Sequence, residues 1–417
     1  MASPMKRKCL WLFYNMIMTV GLPLAVVRLL WKSRNNADYR KRLPERFARG
    51  LPQGPIDIWI HAVSVGEFLA VQPLVEALLK KSYTLLVTTT TPTGSNMVTE
   101  RLGHRVKHCY LPFDAPWLVK TFLKTTQPQA AVFVETEIWP NYVKNLNKRD
   151  IPTLLINARL SDKSYRGYAR LGAFAKETIA SFDTVACQDE SSQKRFQALG
   201  TKAITVGNIK FDLPIPTDLL SKQLYLKRRL GQHPFVLIAS THKGEDEVIL
   251  RAFQNSSYAN THRLVIAPRH PERSREVMTI CQSNNVSALY YSQDSKIPAT
   301  NKHVLIVDTL GELLYFYALA DFAVIGGSFV PHGGHNPLEA ALFATPCLIG
   351  EYYFNFDSLI NKMKDKNAII VTPIEQLFNS RSELSIIGQN AKHFLSENQG
   401  AISRYLQLIE QSMPTAT

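Results

Sequence analysis

Gly326-Gly327-Ser328-Phe329-Val330-Pro331-His332-Gly333-Gly334-His335-Asn336-Pro337-Leu338-Glu339-Ala340-Ala341 follows an apolar, strand-like run, Phe322 to Ile325, and opens into an alanine-rich helical pattern. Glycines between a strand and a helix bring bare backbone N–H groups and a helix N-terminus to one point, which predicts an anion site. Asn336 suits the N-cap and Pro337 the first helical position. Glu339 then falls in the first turn, where it either accepts hydrogen bonds from ribose hydroxyls or simply offsets the helix dipole.

On both sides of this turn, strand-like and helix-like segments alternate. The first series is Ile56–Ala62, Thr84–Thr89, Arg105–Tyr110, Ala130–Val134, Thr153–Ile156, Thr184–Cys187 and Ile204–Val206, with helical stretches such as Phe68–Lys80 between most of them. Asp212-Leu213-Pro214-Ile215-Pro216 breaks the pattern and reads as an extended linker. The second series is Phe235–Ala239, Arg263–Ala267, Leu289–Tyr291, Val304–Val307, Phe322–Ile325 and Pro346–Ile349. A last helix, about Ala401 to Ser412, is expected to close the second domain. The expected organisation is a basic arm over 1–45, a domain over 46–212, a linker over 213–228 and a domain over 229–417. Both domains are α/β with a parallel sheet, facing a cleft, and ligands are expected beyond the carboxyl ends of the strands.

A length of 417 residues agrees with two domains, and 45% hydrophobic with 20% charged residues is a globular balance. Cys9, Cys109, Cys187, Cys281 and Cys347 are scattered, which excludes a disulfide framework or a zinc finger. Residues 1–50 hold eleven Lys/Arg against Asp38 and Glu45, so they carry nine of the fourteen net positive charges. That arm encloses Cys9 to Val27, an uncharged run about long enough to cross a bilayer, flanked by Lys6, Arg7 and Lys8 and by Arg28, Lys32 and Arg34. The larger basic excess follows the run, which places the body on the cytoplasmic side. Gly21 and Pro23 interrupt the run, so a helix lying in the interface is the alternative. Nucleic-acid binding is disfavoured, because the charge brackets an apolar anchor and no nucleic-acid motif is present.

The predicted strand ends hold the chemistry. The first gives His61-Ala62-Val63-Ser64-Val65-Gly66-Glu67, with Glu67 opening a helix. A carboxylate there is held ionised by the dipole, which makes it either a general base or only a capping acid. Ser64 is not a nucleophile elbow, because Ala62 stands where a glycine belongs. Val134-Glu135-Thr136-Glu137-Ile138-Trp139-Pro140 puts two acids on one side if the strand continues. Lys210, in Val206-Gly207-Asn208-Ile209-Lys210-Phe211-Asp212, is suited to a phosphate leaving group. In the second domain, Ser240–Glu245, Ala267–Arg273 and Asp308–Leu313 occupy similar places, with Arg269 suited to bidentate phosphate contact. His332 and His335 lack a third ligand nearby, so no metal is expected.

These residues resemble the bacterial lipid A Kdo (3-deoxy-D-manno-octulosonic acid) transferases, membrane-associated glycosyltransferases of the GT-B fold with two Rossmann-like domains. The likeness covers almost the whole chain. It rests on His61–Glu67, Glu135–Pro140, Asn157-Ala158-Arg159, Gly207–Asp212, Pro268–Arg273 and Gly326–Glu339. It implies an acceptor-binding first domain, a CMP-sugar-binding second domain, the donor CMP-Kdo, the acceptor lipid IVA, an inverting transfer, and no cofactor. It also implies roles: Glu67 as general base, Glu137 and Lys210 as transition-state stabilisers, and Pro268, Arg269, Gly311, Glu312, Leu313, Asn336, Pro337, Leu338 and Glu339 as the residues that hold CMP. Arg159, Lys163, Arg166 and Arg170 are candidates for the acceptor phosphates. The expected setting is the inner membrane, with anionic lipids as partners and no obligate protein partner. A UDP-sugar transferase of GT-B type and a non-catalytic, membrane-anchored binder of anionic lipids are the alternatives.

Overall fold

The computed structural model describes residues 4–231, 233–293, 297–298, 301–379 and 382–414. The side chains of Lys6 and Arg7 lie outside the described residues. The chain divides into two compact units, one of residues 1–212 with 399–417 and one of residues 213–398.

The first unit carries β1 (Ile56–His61), β2 (Leu85–Thr89), β3 (Lys107–Tyr110), β4 (Pro128–Val134), β5 (Thr153–Ala158), β6 (Thr184–Cys187) and β7 (Ala203–Thr205). They form one parallel sheet in the order β3-β2-β1-β4-β5-β6-β7. Nearly every strand residue is buried, because helices cover both faces. Strand alternation divides β1 between the two layers. Trp59 joins Phe122, Phe133 and Tyr142 on one face, and Ile58 and Ile60 join Phe68, Val71 and Val75 on the other.

The second unit carries β8 (Phe235–Thr241), β9 (Arg263–Pro268), β10 (Ala288–Tyr290), β11 (Val304–Ile306), β12 (Phe322–Ile325), β13 (Cys347–Ile349) and β14 (Ile370–Val371). Their parallel sheet has the order β10-β11-β9-β8-β12-β13-β14. In each sheet the strand order reverses beside the unit's first strand, between β1 and β4 and between β8 and β12. Such switch points open a crevice at the carboxyl ends of the strands.

Two expectations are corrected here. The stretch 213–228 is not all linker: Leu219–Leu230 is a helix with Leu226 and Leu230 buried, part of the second unit. The last helix, Ala401–Ser412, closes the first unit rather than the second. Ala401, Tyr405 and Ile409 are buried against Phe68 and Val71, and the Asp212 carboxylate accepts from the N–H groups of Gly400 and Ile402, both at 2.5 Å.

The apolar arm is also not one straight helix. Pro4–Val20 and Leu22–Lys32 meet at Gly21 with a 42° bend, because Pro23 has no N–H for the preceding turn. Among the described residues no single helix is long and apolar enough to cross a membrane, although the bent pair passes by length and composition. The first helix is docked. Trp11 is buried against Phe174 with the Lys144 ammonium 3.4 Å from its ring centre, and the Tyr14 hydroxyl donates to Asp114 at 2.5 Å. The pair still exposes Leu12, Phe13, Val20, Leu24, Val27 and Trp31.

Candidate active site

In the first unit the loops after β1 and β4 meet at the switch point. Ser64 caps the helix Val65–Lys80, and Glu67 returns toward the chain entering it, with Val63 N–H donating to Glu67 Oε2 at 2.6 Å. This is a variant of the capping box, legible in Ser64-Val65-Gly66-Glu67, with the donor one residue before the N-cap. Burial, then the neighbouring Glu137 charge, push the Glu67 carboxyl up to about 7. The expectation that the helix N-terminus holds it ionised is therefore corrected: near neutral pH both its protonated and its ionised forms are populated.

Glu135 and Glu137 do not share a strand face. Glu135 stands at φ +60°, just past the last residue of β4, and turns the chain out of the sheet. Its Oε1 lies 3.8 Å from Lys210 Nζ, on a single turn of 3₁₀ helix, Ile209–Phe211. Glu137 goes the other way. Its Oε2 accepts from Trp139 Nε1 at 2.9 Å and lies 3.8 Å from Nε2 of the buried His61. Arg159, Lys163, Arg166 and Arg170 are all exposed. The last three share one face of the helix Asp162–Arg170 by their spacing.

In the second unit the glycine loop behaves differently from the expectation. Gly326 allows the ends of β8 and β12 to touch, since a Cβ there would stand 2.5 Å from the Ser240 carbonyl oxygen. The loop N–H groups then face a carboxylate of the protein itself. Glu245, fully buried, accepts from Gly327 at 2.7 Å, Ser328 at 3.0 Å, Phe329 at 2.9 Å and His242 at 2.8 Å. These N–H groups are thus taken by Glu245, about eighty residues away in sequence. The helix after the loop is only Leu338–Ala341, so Pro337 precedes it, and Asn336 closes a local turn by accepting from Leu338 N–H at 3.1 Å.

A cavity of about 340 Å³ lies on the β9 side of this switch point, lined among others by Ser240, Pro268, Arg269, Thr309, Gly311, Leu313 and Glu339. It brings together five of the nine residues expected to hold CMP. Asn336, Pro337 and Leu338 do not line it, nor does Glu312, which is paired with Lys222 at 3.3 Å. Burial raises the Glu339 carboxyl and Arg269 counteracts it, so cation and acid face one cavity. His242 Nε2 and His335 Nε2 stand 2.8 Å apart, and burial first, then neighbouring cationic groups, lower both imidazoles to about 4. Among the described residues no group of three or more His, Cys, Asp or Glu side chains converges on a metal position.

Two Rossmann-like units, each with its own parallel sheet and with acids on the loops at the strand ends, have the architecture of the GT-B fold. Solved structures agree on the fold: MurG of Acinetobacter baumannii (TM-score 0.53, 10% identity, 86% of this chain and 100% of that one) and a Neisseria meningitidis UDP-GlcNAc 2-epimerase (0.55, 13%, 86% and 99%). The family model described as 3-deoxy-D-manno-octulosonic-acid transferase (kdotransferase) matches residues 41–213. The 3-deoxy-D-manno-octulosonic acid transferase of Haemophilus influenzae is 35% identical over 95% of this chain and 97% of its own, and that of Bordetella pertussis is 31% identical over 94% and 96%. The chain belongs to the 3-deoxy-D-manno-octulosonic acid transferase family, and its reaction is Kdo transfer in lipopolysaccharide biosynthesis.

Proposed function

We propose that the protein transfers Kdo from CMP-Kdo to lipid IVA with inversion at the anomeric carbon. The observation that carries this reading is Glu67: a half-buried carboxyl pushed up to about 7, beside Glu137, at the switch point of the first unit. Glu67 takes the proton of the acceptor hydroxyl. The hydroxyl oxygen forms its bond to the anomeric carbon while the bond from that carbon to the phosphate oxygen breaks, and CMP leaves with the electron pair. Glu137 faces the positive charge that develops on the sugar, and Lys210 is suited to the negative charge that develops on the phosphate. CMP is held in the cavity walled by Pro268, Arg269, Gly311, Leu313 and Glu339.

The acceptor is a bisphosphorylated lipid, and the exposed Arg159, Lys163, Arg166 and Arg170 suit its phosphates. The bent apolar pair, with Leu24 73% and Trp31 66% exposed, fits an inner-membrane setting in which the body lies on the cytoplasmic side among anionic lipids. Mass spectrometry of lipid IVA incubated with detergent-solubilised protein and freshly generated CMP-Kdo tests the reading. A gain of one or more Kdo units, lost in Glu67→Ala, is expected; no gain with folded wild-type protein would overturn it.

A further inference from the structure

We infer that His61 is a positioning residue for Glu137, set in one tautomer by a hydrogen-bond chain that begins at Trp59 in the core. The inference rests on the transferase reading above. Trp59 and His61 sit two apart on β1, on the same face, and Thr88 is the β2 residue in register with His61. The indole N–H, which can only donate, gives its proton to Thr88 Oγ1 at 2.8 Å. The Thr88 side chain is fully buried, so its hydroxyl proton needs an acceptor inside the protein. His61 Nδ1 lies 2.9 Å from that hydroxyl. The Thr88 carbonyl, 3.2 Å from Nδ1, already accepts from Ala62 N–H.

The chain closes in one way. Thr88 donates to Nδ1, and the imidazole proton is carried on Nε2. That nitrogen is buried, has no hydrogen-bond partner, and lies 3.8 Å from Glu137 Oε2. The opposite tautomer would turn a lone pair toward the carboxylate and strand the hydroxyl proton. A separation of 3.8 Å is longer than a hydrogen bond, and such contacts in unliganded sites commonly tighten when substrate binds.

The tautomer decides what Glu137 meets. Oε2 of Glu137 accepts from Trp139 Nε1–H, and an Nε2–H on His61 gives it a second donor to close on, one that orients the carboxylate without cancelling its charge. An arginine or lysine in the place of His61 would neutralise the charge that faces the sugar.

Nitrogen-15 NMR of histidine-labelled protein reads the tautomer directly, with His61→Gln identifying the signal. The expected result is an unprotonated Nδ1 and a protonated Nε2. Thr88→Val forces Nδ1–H to turn to the Thr88 carbonyl, so the tautomer flips. In the Kdo-transfer assay kcat then falls about 10- to 100-fold, the range for a hydrogen bond to a charged group, while KM for CMP-Kdo stays within about twofold. Thr88→Ser restores both tautomer and rate.

A protonated Nδ1 in the wild-type protein, or a flipped tautomer in Thr88→Val with kcat unchanged, overturns the inference. If Thr88→Val does not fold, the wild-type tautomer decides alone. Wild-type protein that transfers no Kdo defeats the functional reading instead, and the NMR result still judges the hydrogen-bond chain.

Discussion

Glu67 and Glu245 occupy matching places in the two units. Each follows the first strand of its sheet, stands beside the switch point, and belongs to the chain that enters the next helix. Burial raises both carboxyls. They differ in what they receive. Glu245 accepts four backbone N–H groups, whereas Glu67 accepts one, from Val63, and faces the charge of Glu137. The same fold therefore clasps one acid in backbone N–H groups and leaves the other with a single such donor and a carboxyl raised to about 7. What separates them is the supply of N–H donors from the neighbouring loop, not the acid or its place on the sheet.

The comparison breaks at its strongest point if Glu67→Gln is active. The expected loss is about 10²- to 10⁴-fold in kcat, with CMP affinity by titration calorimetry unchanged. A loss below about tenfold would remove Glu67 as the base.

Glu245→Ala addresses the other half. It strands four N–H groups, those of Gly327 and Ser328 buried, and the expected cost is about 3–5 kcal/mol of stability, read as an earlier urea transition. An unmoved transition would mean that the clasp holds nothing.

Arg269→Ala sharpens the division of labour. CMP affinity is expected to weaken about 10- to 100-fold, with kcat at saturating donor nearer the wild type. Wild-type CMP affinity would move the donor away from the cavity.

The smallest effect is on pH. Glu67 works as a base only when ionised, so kcat/KM should fall as pH drops through about 7. The Glu137 charge opposes that ionisation. Glu137→Gln should therefore move the acid limb to lower pH, by less than burial contributes, whatever rate remains. An unmoved limb would show that the two acids do not couple.

The sheets were legible in the sequence because apolar runs bounded by turns mark buried parallel strands. Only β14, two residues long, left no such signal. The acids at the strand ends were legible too, but their partners were not. The glycine loop reads as an anion site until Glu245 is placed in it, a contact the local pattern does not reveal. Alternation put Glu135 and Glu137 on one side, and a positive φ at Glu135 separated them. His61 carried only the faint signal of a histidine ending a mostly apolar strand. The last helix was assigned to its sequence neighbours, whereas Asp212 draws it back to the first unit.

That return makes the first unit the last to be finished on the ribosome. Its sheet is translated before residue 213, yet the helix bearing Tyr405 emerges only after the whole second unit, 213–398. The Tyr405 hydroxyl donates to the Gly207 carbonyl at 2.8 Å, three residues before Lys210. A nascent chain can therefore complete the unit with the Arg269 cavity while the unit bearing Glu67 still lacks a wall. The usual order, in which the amino-terminal domain folds first, is inverted. A premature stop near residue 399 would yield a protein that keeps the cavity and loses the support beneath its reactive groups.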